Sequence, residues 1–389
     1  MKILITVILV SIVTAQDIQL SGNIQFTHNV GDKTNLNSNT QGDNPFNRMR
    51  SKLFLFSEIS DNIDIDIEIA FDDLAHADRW IWLHGASINI HHLFDSDLIN
   101  FKIGKIPSNV GQFPNRANEA ENNLIGLPLA YHYRTLVDWK QVWDGNSQII
   151  LRDKRDPTTA FISYDAFPTA SPIAYEAVWD YGINLNGFHD FFEYSAMVST
   201  GSLSNPKKNL QDFSDEYQYS GRIGFLPTDW LNFGFSGARS KYLSTSINLP
   251  QEKIREDFNQ YIYAADLSIE LQDVQIFAEY FLNRWHNVNI EKEYKVKTGF
   301  VELAYTMPFD TKWQLVGRYD FMTFNKILVD RFAPSENPSA WWDSDFTRIE
   351  FGIVYQLNRK FKIKSVFQQW DYEHYPTQAF TSIQLLVLF

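Results

Sequence analysis

A strict two-residue hydrophobic rhythm constrains this chain more than any other feature. Ile63, Ile65, Ile67, Ile69 and Phe71 alternate with Asp64, Asp66, Glu68 and Asp72. Trp313, Leu315, Tyr319 and Phe321 alternate with Lys312, Gln314, Arg318 and Asp320. Ile349, Phe351, Ile353, Tyr355 and Leu357 alternate with Arg348, Glu350, Gly352 and Gln356. Successive side chains of a strand point to opposite faces, so each segment offers one face to an apolar medium and one to water. Looser versions of the rhythm run through 18–29, 47–59, 79–92, 98–106, 173–185, 188–200, 215–226, 229–242, 259–271, 274–284, 295–307, 360–372 and 378–389. Most have about the ten residues that carry a tilted strand across a bilayer. Helical periodicity is absent.

The connections alternate as well. Short turns at Ser60-Asp61, Asn186-Gly187, Pro227-Thr228-Asp229, Gln272-Asp273, Pro308 to Thr311 and Asn358-Arg359 are interleaved with longer polar stretches at 30–46, 201–214, 243–258, 285–294 and 325–344. Tight turns at one end and long loops at the other predict an all-β fold, a transmembrane antiparallel up-and-down barrel. Counted from a periplasmic N-terminus, strand 98–106 runs upward and strand 173–185 downward. Segment 107–172 is then one long outer loop, giving about sixteen strands, or two loops flanking an extra pair that turns at Asp144-Gly145-Asn146, giving about eighteen. The flanks of that turn alternate poorly, so sixteen is the expected number.

The first fifteen residues read as a secretory signal: Lys2 is the positive end, Ile3 to Val13 the apolar core, and Val13-Thr14-Ala15 the cleavage site. The mature domain is then 16–389. The chain has no cysteine, so no disulfide and no lipoprotein anchor is expected. Aromatic residues make up 15% of the chain, yet past the signal no apolar run is long enough for a membrane helix. That combination suits strands that wet one face and grease the other. The net charge is −13, or −14 without Lys2, which counts against nucleic acid as a partner.

Tryptophans stand near predicted strand ends: Trp230 and Trp313 open strands, Trp285 and Trp370 close them, and Trp341-Trp342 precede another. Amphipathic rings favour the headgroup level, so these predict aromatic girdles at both rims. The chain stops on Phe389, behind Val387, Leu385, Ile383 and Thr381 on one face. A last strand ending in an aromatic residue resembles the signal read by the barrel-assembly machinery, which implies that machinery as a partner together with outer-membrane lipid and lipopolysaccharide.

Several stretches resemble the broad family of phosphate-selective-type (O/P-like) porins and its members without an assigned substrate. Phe101-Lys102-Ile103-Gly104-Lys105-Ile106-Pro107 is similar to the strand feeding that family's inward-folded third loop, and Gly126-Leu127-Pro128-Leu129-Ala130-Tyr131 follows within it. Trp179 to Gly187, Val198 to Pro206, Tyr219 to Pro227, Phe233 to Ser236 and Trp313 to Asp320 match its strand rhythm. The resemblance implies an outer-membrane porin, a homotrimer that passes small hydrophilic solutes through a water-filled lumen. The phosphate label transfers poorly, because the long loop lacks a dense lysine cluster and the chain is acidic.

In such a channel a loop folded inward sets the size limit and charged side chains set the field. Residues 107–135 are the candidate loop, offering Arg116, Glu119, Glu121 and Arg134. Arg48, Arg50, Lys52, Arg318, Arg348, Lys362 and Lys364 are candidates for a basic lumen wall, and Asp64, Asp66 and Glu68 for an acidic one. Closure of the barrel brings the late strands near the first two, so acidic loop groups facing a basic wall would set up a transverse field. The plainer reading is that these charges hydrate the lumen and pair with neighbours.

Two rival classes remain at this stage. A barrel phospholipase or protease needs a nucleophile, base and orienting group. His91-His92, His132 and His374 supply imidazoles, but no segment carries a catalytic motif, and adjacent strand histidines on opposite faces make poor metal ligands. No cofactor and no metal is therefore expected. A non-channel adhesin or plugged receptor is the other rival; the plugged form needs an N-terminal plug, and strand one starts within a few residues of the cleavage site.

Overall fold

The computed structural model describes residues 18–31, 49–72, 81–135, 137, 171–175, 179–206, 217–243, 249, 252, 254–287, 292–330, 339–373 and 377–389. The signal segment, Arg48, Asp144-Gly145-Asn146 and His374 lie outside these residues.

The alternating segments form sixteen long strands: β1 (Ile18–Gly31), β2 (Met49–Ser60), β3 (Ile63–Asp72), β4 (Ile81–Ile90), β5 (Asn100–Pro107), β6 (Trp179–His189), β7 (Phe192–Ser202), β8 (Tyr217–Thr228), β9 (Leu231–Lys241), β10 (Asn259–Glu270), β11 (Val274–Trp285), β12 (Tyr294–Thr306), β13 (Trp313–Phe324), β14 (Phe346–Asn358), β15 (Phe361–Tyr372) and β16 (Gln378–Leu388). Each is antiparallel to its chain neighbours, and β1 pairs with β16 from Asn23↔Leu388 to Gly31↔Phe380, closing the sheet. Closure leaves no unpaired edge, the condition for a sheet in lipid. β5 pairs directly with β6, from Asn100↔Asn186 to Pro107↔Trp179, so no extra pair stands between them and the number is sixteen. A short ribbon, Leu328–Asp330 with Ser339–Trp341, decorates the connection after β13.

The turns at 61–62, 190–191, 229–230 and 359–360 share one end of the barrel with Ile18 and Leu388, and the long connections leave from the other end. At the closing seam Phe389 extends the ladder: its N–H donates to Gly22 O and its own carbonyl oxygen accepts from Gly22 N–H, both at 3.1 Å. A Cβ on residue 22 would stand 2.5 Å from the Phe389 ring, so the seam needs glycine there.

Burial follows the alternation. On β14, Ile349, Phe351 and Ile353 are exposed while Arg348, Glu350 and Val354 are buried; on β16, Ile383 and Leu385 are exposed while Ser382, Gln384 and Leu386 are buried. Polar side chains inside and apolar ones outside invert the usual pattern, which is the arrangement that lipid outside and water within require.

Three expectations are corrected. Asn186-Gly187 is not a turn: β6 runs on to His189, and the reversal uses Asp190-Phe191, with Asp190 at φ 53°. Gly187 instead pairs with Tyr194, and Leu98 O lies so close that a Cβ there would meet it at 2.1 Å. The tryptophan girdle is only half present. Trp230 and Trp313 are exposed and Trp313 packs at a tilt against Tyr355, ring centroids 4.5 Å apart, whereas Trp285, Trp342 and Trp370 are buried. Their register sends Trp285 and Trp370 inward, beside Asn283 and Gln368. Finally, His91 and His92 fall past the end of β4, where they meet Asp64 (2.6 Å) and Asp97 (2.7 Å) respectively.

Candidate constriction site

The chain enters the lumen where β5 ends. After Pro107 it turns at Gly111, whose φ of +74° favours glycine, and a Cβ there would stand 2.3 Å from Tyr131 Oη and 2.7 Å from Glu279 Oε2. Segment 108–135 then crosses the inside of the barrel, with 171–175 as a return leg: Thr135 N donates to Ser171 O at 3.0 Å, and Ala174 N to Ala130 O at 3.0 Å. Residues 173–175 therefore belong to this return leg rather than to β6, and 176–178 lie outside the described residues.

One face of this loop is apolar. Val110, Phe113, Leu124, Ile125, Leu129 and Tyr131 pack on Phe281, Phe300, Val316 and Met322 of β11–β13 in one buried cluster. Phe113 lies 5.1 Å from Tyr131 and 6.4 Å from Phe300, and Tyr131 meets Phe281 edge-on at 5.6 Å. Fully burying side chains of this kind contributes about 1.5–3 kcal/mol each, so the loop is seated rather than suspended. The sequence carries a signal for this seat: in Phe281-Leu282, Phe300-Val301 and Phe321-Met322 both faces of a strand are apolar.

Polar anchors tie down the loop backbone. Glu279 Oε1 accepts from Gln112 N (2.7 Å) and Phe113 N (2.6 Å), while its Oε2 accepts from Tyr131 Oη (2.6 Å). Arg318 Nη2 donates to Gly126 O (2.8 Å), Arg348 Nη2 to Leu127 O (2.6 Å), and Leu129 N to Asp320 (3.0 Å). Lys364 Nζ reaches three loop carbonyls, those of Glu119 (2.7 Å), Asn122 (2.6 Å) and Leu124 (3.3 Å), and Lys362 reaches Ala120 O (2.7 Å). A balanced ionic cluster lies beneath. Arg318 pairs with Glu302 (3.2 Å), Asp320 (3.3 Å) and Glu350, Arg348 with Asp320 (3.1 Å), and Arg116 with Glu302 (2.9 Å). Arg318 and Arg348 are thus covered by the loop, and Lys364 is held by loop carbonyls, because the loop lies over much of the inner face that the alternation assigned to water.

The charges that do face each other are Glu119 on the loop and Arg50 and Lys52 on β2, at 2.9 Å and 3.6 Å. Lys52 also meets Glu68 of β3 (3.0 Å), which holds His84 Nδ1 of β4 (3.0 Å). His84 is the extra residue of a bulge: Glu68 pairs with Gly85 and Ile69 with Leu83. Bulges re-aim side chains, and this one adds an imidazole to the wall that alternation alone would not place there. Arg50, Lys52, Glu68, His84, Glu119 and Glu121 line one cavity of about 290 Å³ with Pro114, Trp179 and Lys364. Asp64 and Asp66 are not part of it; they bond Asn89, and Asp66 lies 3.7 Å from Lys102. Arg134 also lies apart, over the Tyr175 ring at 5.3 Å.

Burial would raise the Glu119 carboxyl, but Lys52 and Arg50 outweigh it and hold the group below the usual carboxylate range. Burial pushes Glu121 upward, and Lys362 offsets only part of that. On acidification Glu121 takes its proton first. The contribution of Glu119 to docking is complete above the ordinary glutamate value of about 4.3 and is lost only as pH falls through its depressed value. Ion selectivity measured across a pH series is expected to change in two steps, one above and one below that value. Gly111→Val should loosen the loop, since a left-handed backbone costs a branched residue about 1–2 kcal/mol before any clash; limited proteolysis of the native barrel should show new cleavage within 108–135.

These features define a class by architecture: a sixteen-stranded porin-type barrel with a loop folded into its lumen. No protein-family model matches the chain, and no curated protein matches it. Solved structures do. The anion-selective porin from Comamonas acidovorans superposes with a TM-score of 0.58 at 8% identity, over 96% of this chain and 99% of that one. OmpT, an outer membrane protein of Vibrio cholerae, gives 0.55 at 10% identity over 97% and 100%. The outer membrane channel DcaP of Acinetobacter baumannii gives 0.52 at 8% identity over 96% and 97%. At such identities the likeness is one of fold.

Proposed function

We propose that this chain is an outer-membrane porin, a passive channel for small hydrophilic solutes and ions, and not an enzyme. The observation that carries the reading is the Glu119 contact with Arg50 and Lys52. A loop that has crossed the lumen brings an acidic group against a basic wall beside a 290 Å³ cavity. Two cations of that wall, Arg50 and Lys52, are matched by two carboxylates, Glu68 and Glu119. A narrow passage with balanced opposite charges sorts by size and dipole more than by net charge, which suits general diffusion. Relationship to the phosphate-selective-type porins stays a sequence resemblance, and phosphate is not the proposed solute. Residues 1–15 are the proposed export signal, 107–172 the constriction loop region, and Phe389 the mark for the barrel-assembly machinery. A homotrimer in the outer membrane is proposed from the same resemblance.

Purified refolded protein in planar bilayers under a salt gradient tests this. Discrete conductance steps with weak ion selectivity are expected; a barrel that inserts without conducting, or that cleaves lipid or peptide, overturns it.

A further inference from the structure

We propose that the outer wall of β9–β12 binds a lipid bearing more than one phosphate in the leaflet at the long-loop end, the orientation resting on the porin reading above. Four outward residues stand side by side across four strands: Arg239↔Tyr261, Tyr261↔Arg284 and Arg284↔Lys295. Lys297 lies one pleat below this row and Lys241 one above. Arg239 and Lys297 are exposed while their neighbours Ser240 and Thr298 are buried, which places the cations on the outer surface. Tyr261 separates two guanidinium groups, with Arg239 at 5.8 Å and Arg284 at 4.7 Å from its ring.

Two carboxylates temper the row. Glu293 meets Arg284 (3.7 Å), Lys295 (3.3 Å) and His286 (2.8 Å), and Glu256 meets Lys241 (3.3 Å). Five cations against the two carboxylates that touch them leave this row positive, in a chain of net charge −13. Of the described residues on the adjoining β9–β10 connection, Glu252 and Asp257 are exposed carboxylates and Arg255 a further cation. The same rim on β13–β15 presents Thr323 and Thr347, with Thr347 opposite Asp371, and carries Lys326 between Asp345 and Glu373, so among the described residues it holds no comparable excess of cations. Strands lie about 4.8 Å apart, so Arg239 to Lys295 spans about 14 Å, too wide for one phosphate to bridge.

Below the row the wall is hollow. Small residues Ala265 and Ala278 sit among Leu267, Tyr280, Val301, Tyr319 and Phe321, and the trough they leave is about 350 Å³ and mostly apolar at its surface, with the inward-pointing Asp266 and Glu279 in its floor. It starts two pleat rows beneath Arg284, about 14 Å along the strand. Cations at headgroup level above an apolar trough match a phosphorylated headgroup with its acyl chain beneath.

The test uses full-length refolded protein in detergent and native mass spectrometry, with bisphosphorylated lipid A, dephosphorylated lipid A and inorganic pyrophosphate as probes. The R239Q/R284Q/K295Q/K297Q variant should bind bisphosphorylated lipid A at least about tenfold more weakly than the parent. Ala278→Trp, which fills the trough, should also weaken it. Heat-dependent gel mobility and unchanged single-channel conductance establish that both variants are folded. Equal affinity of parent and variants, equal binding of the dephosphorylated lipid, or pyrophosphate binding as tight as lipid A would each overturn the proposal, the last by showing a site for free anions. A parent that binds lipid A but forms no channel would sink the porin reading and leave the lipid site standing.

Discussion

Arg318→Met is expected to release the inward loop while leaving the barrel closed. Arg318 has no exposed surface and faces Glu302, Asp320 and Glu350, while its Nη2 also holds Gly126 O. Without it, three buried carboxylates are left with Arg116 and Arg348 as counterions. Removing one partner from a buried ionic cluster costs about 3–5 kcal/mol, because the remaining charges stay desolvated. The strand ladder does not depend on that cluster, so the cost falls on docking. Heat-dependent gel mobility should persist, protease should cut within 116–127, and single-channel current should become larger and noisier. R318M/E350Q, which removes one charge of each sign, should recover part of the loss. A quiet, protease-resistant Arg318→Met channel would show that the cluster does not hold the loop.

Glu119→Gln combined with Glu121→Gln should move the channel toward anions. Glu119 is buried against Arg50 and Lys52; once neutral, it no longer offsets their charge, while Glu68 still pairs with Lys52. A narrow, low-dielectric passage focuses such a change, and the chloride-to-potassium permeability ratio is expected to rise by a factor on the order of three to ten. Reversal potential under a potassium chloride gradient reads this directly. Glu121→Gln alone should give a smaller shift, since that group stands more open to solvent and salt screens it. Unchanged selectivity in the double variant would remove 107–135 from the role of constriction.

Alternation by itself determined the barrel. A two-residue period fixes which face of Ile63 to Phe71 or of Arg348 to Leu357 meets lipid, and the short-long order of connections fixes up-and-down pairing. Length and spacing then led to sixteen strands, which direct pairing of β5 with β6 decided. The sequence also marked 107–135 as the segment to watch and singled out Glu119, Arg50 and Lys52. It put Arg318, Arg348 and Lys364 on the inner face, where they are, without showing that the loop lies over them, and it put Trp285 and Trp370 at the rim, although they turn inward. For the tryptophans the period itself gives the inward side, and position at a strand end does not override it; for the cations the period stops short. Period two separates inside from outside, yet inside a barrel it cannot separate surface facing water from surface covered by a loop.

What only the tertiary structure decided is where that covering lies. The anchors are loop carbonyls and amides, such as Gly126 O on Arg318 and Gln112 N on Glu279, which every residue type possesses and no motif records. His84 needed a one-residue bulge to reach Glu68. The outer cation row needed the register of four strands to bring Arg239, Arg284 and Lys295 together across 56 residues of sequence. Side-chain direction is local and follows from the chain. Which direction is then filled, sealed or left open depends on residues far along it, and only closure of the barrel brings those together.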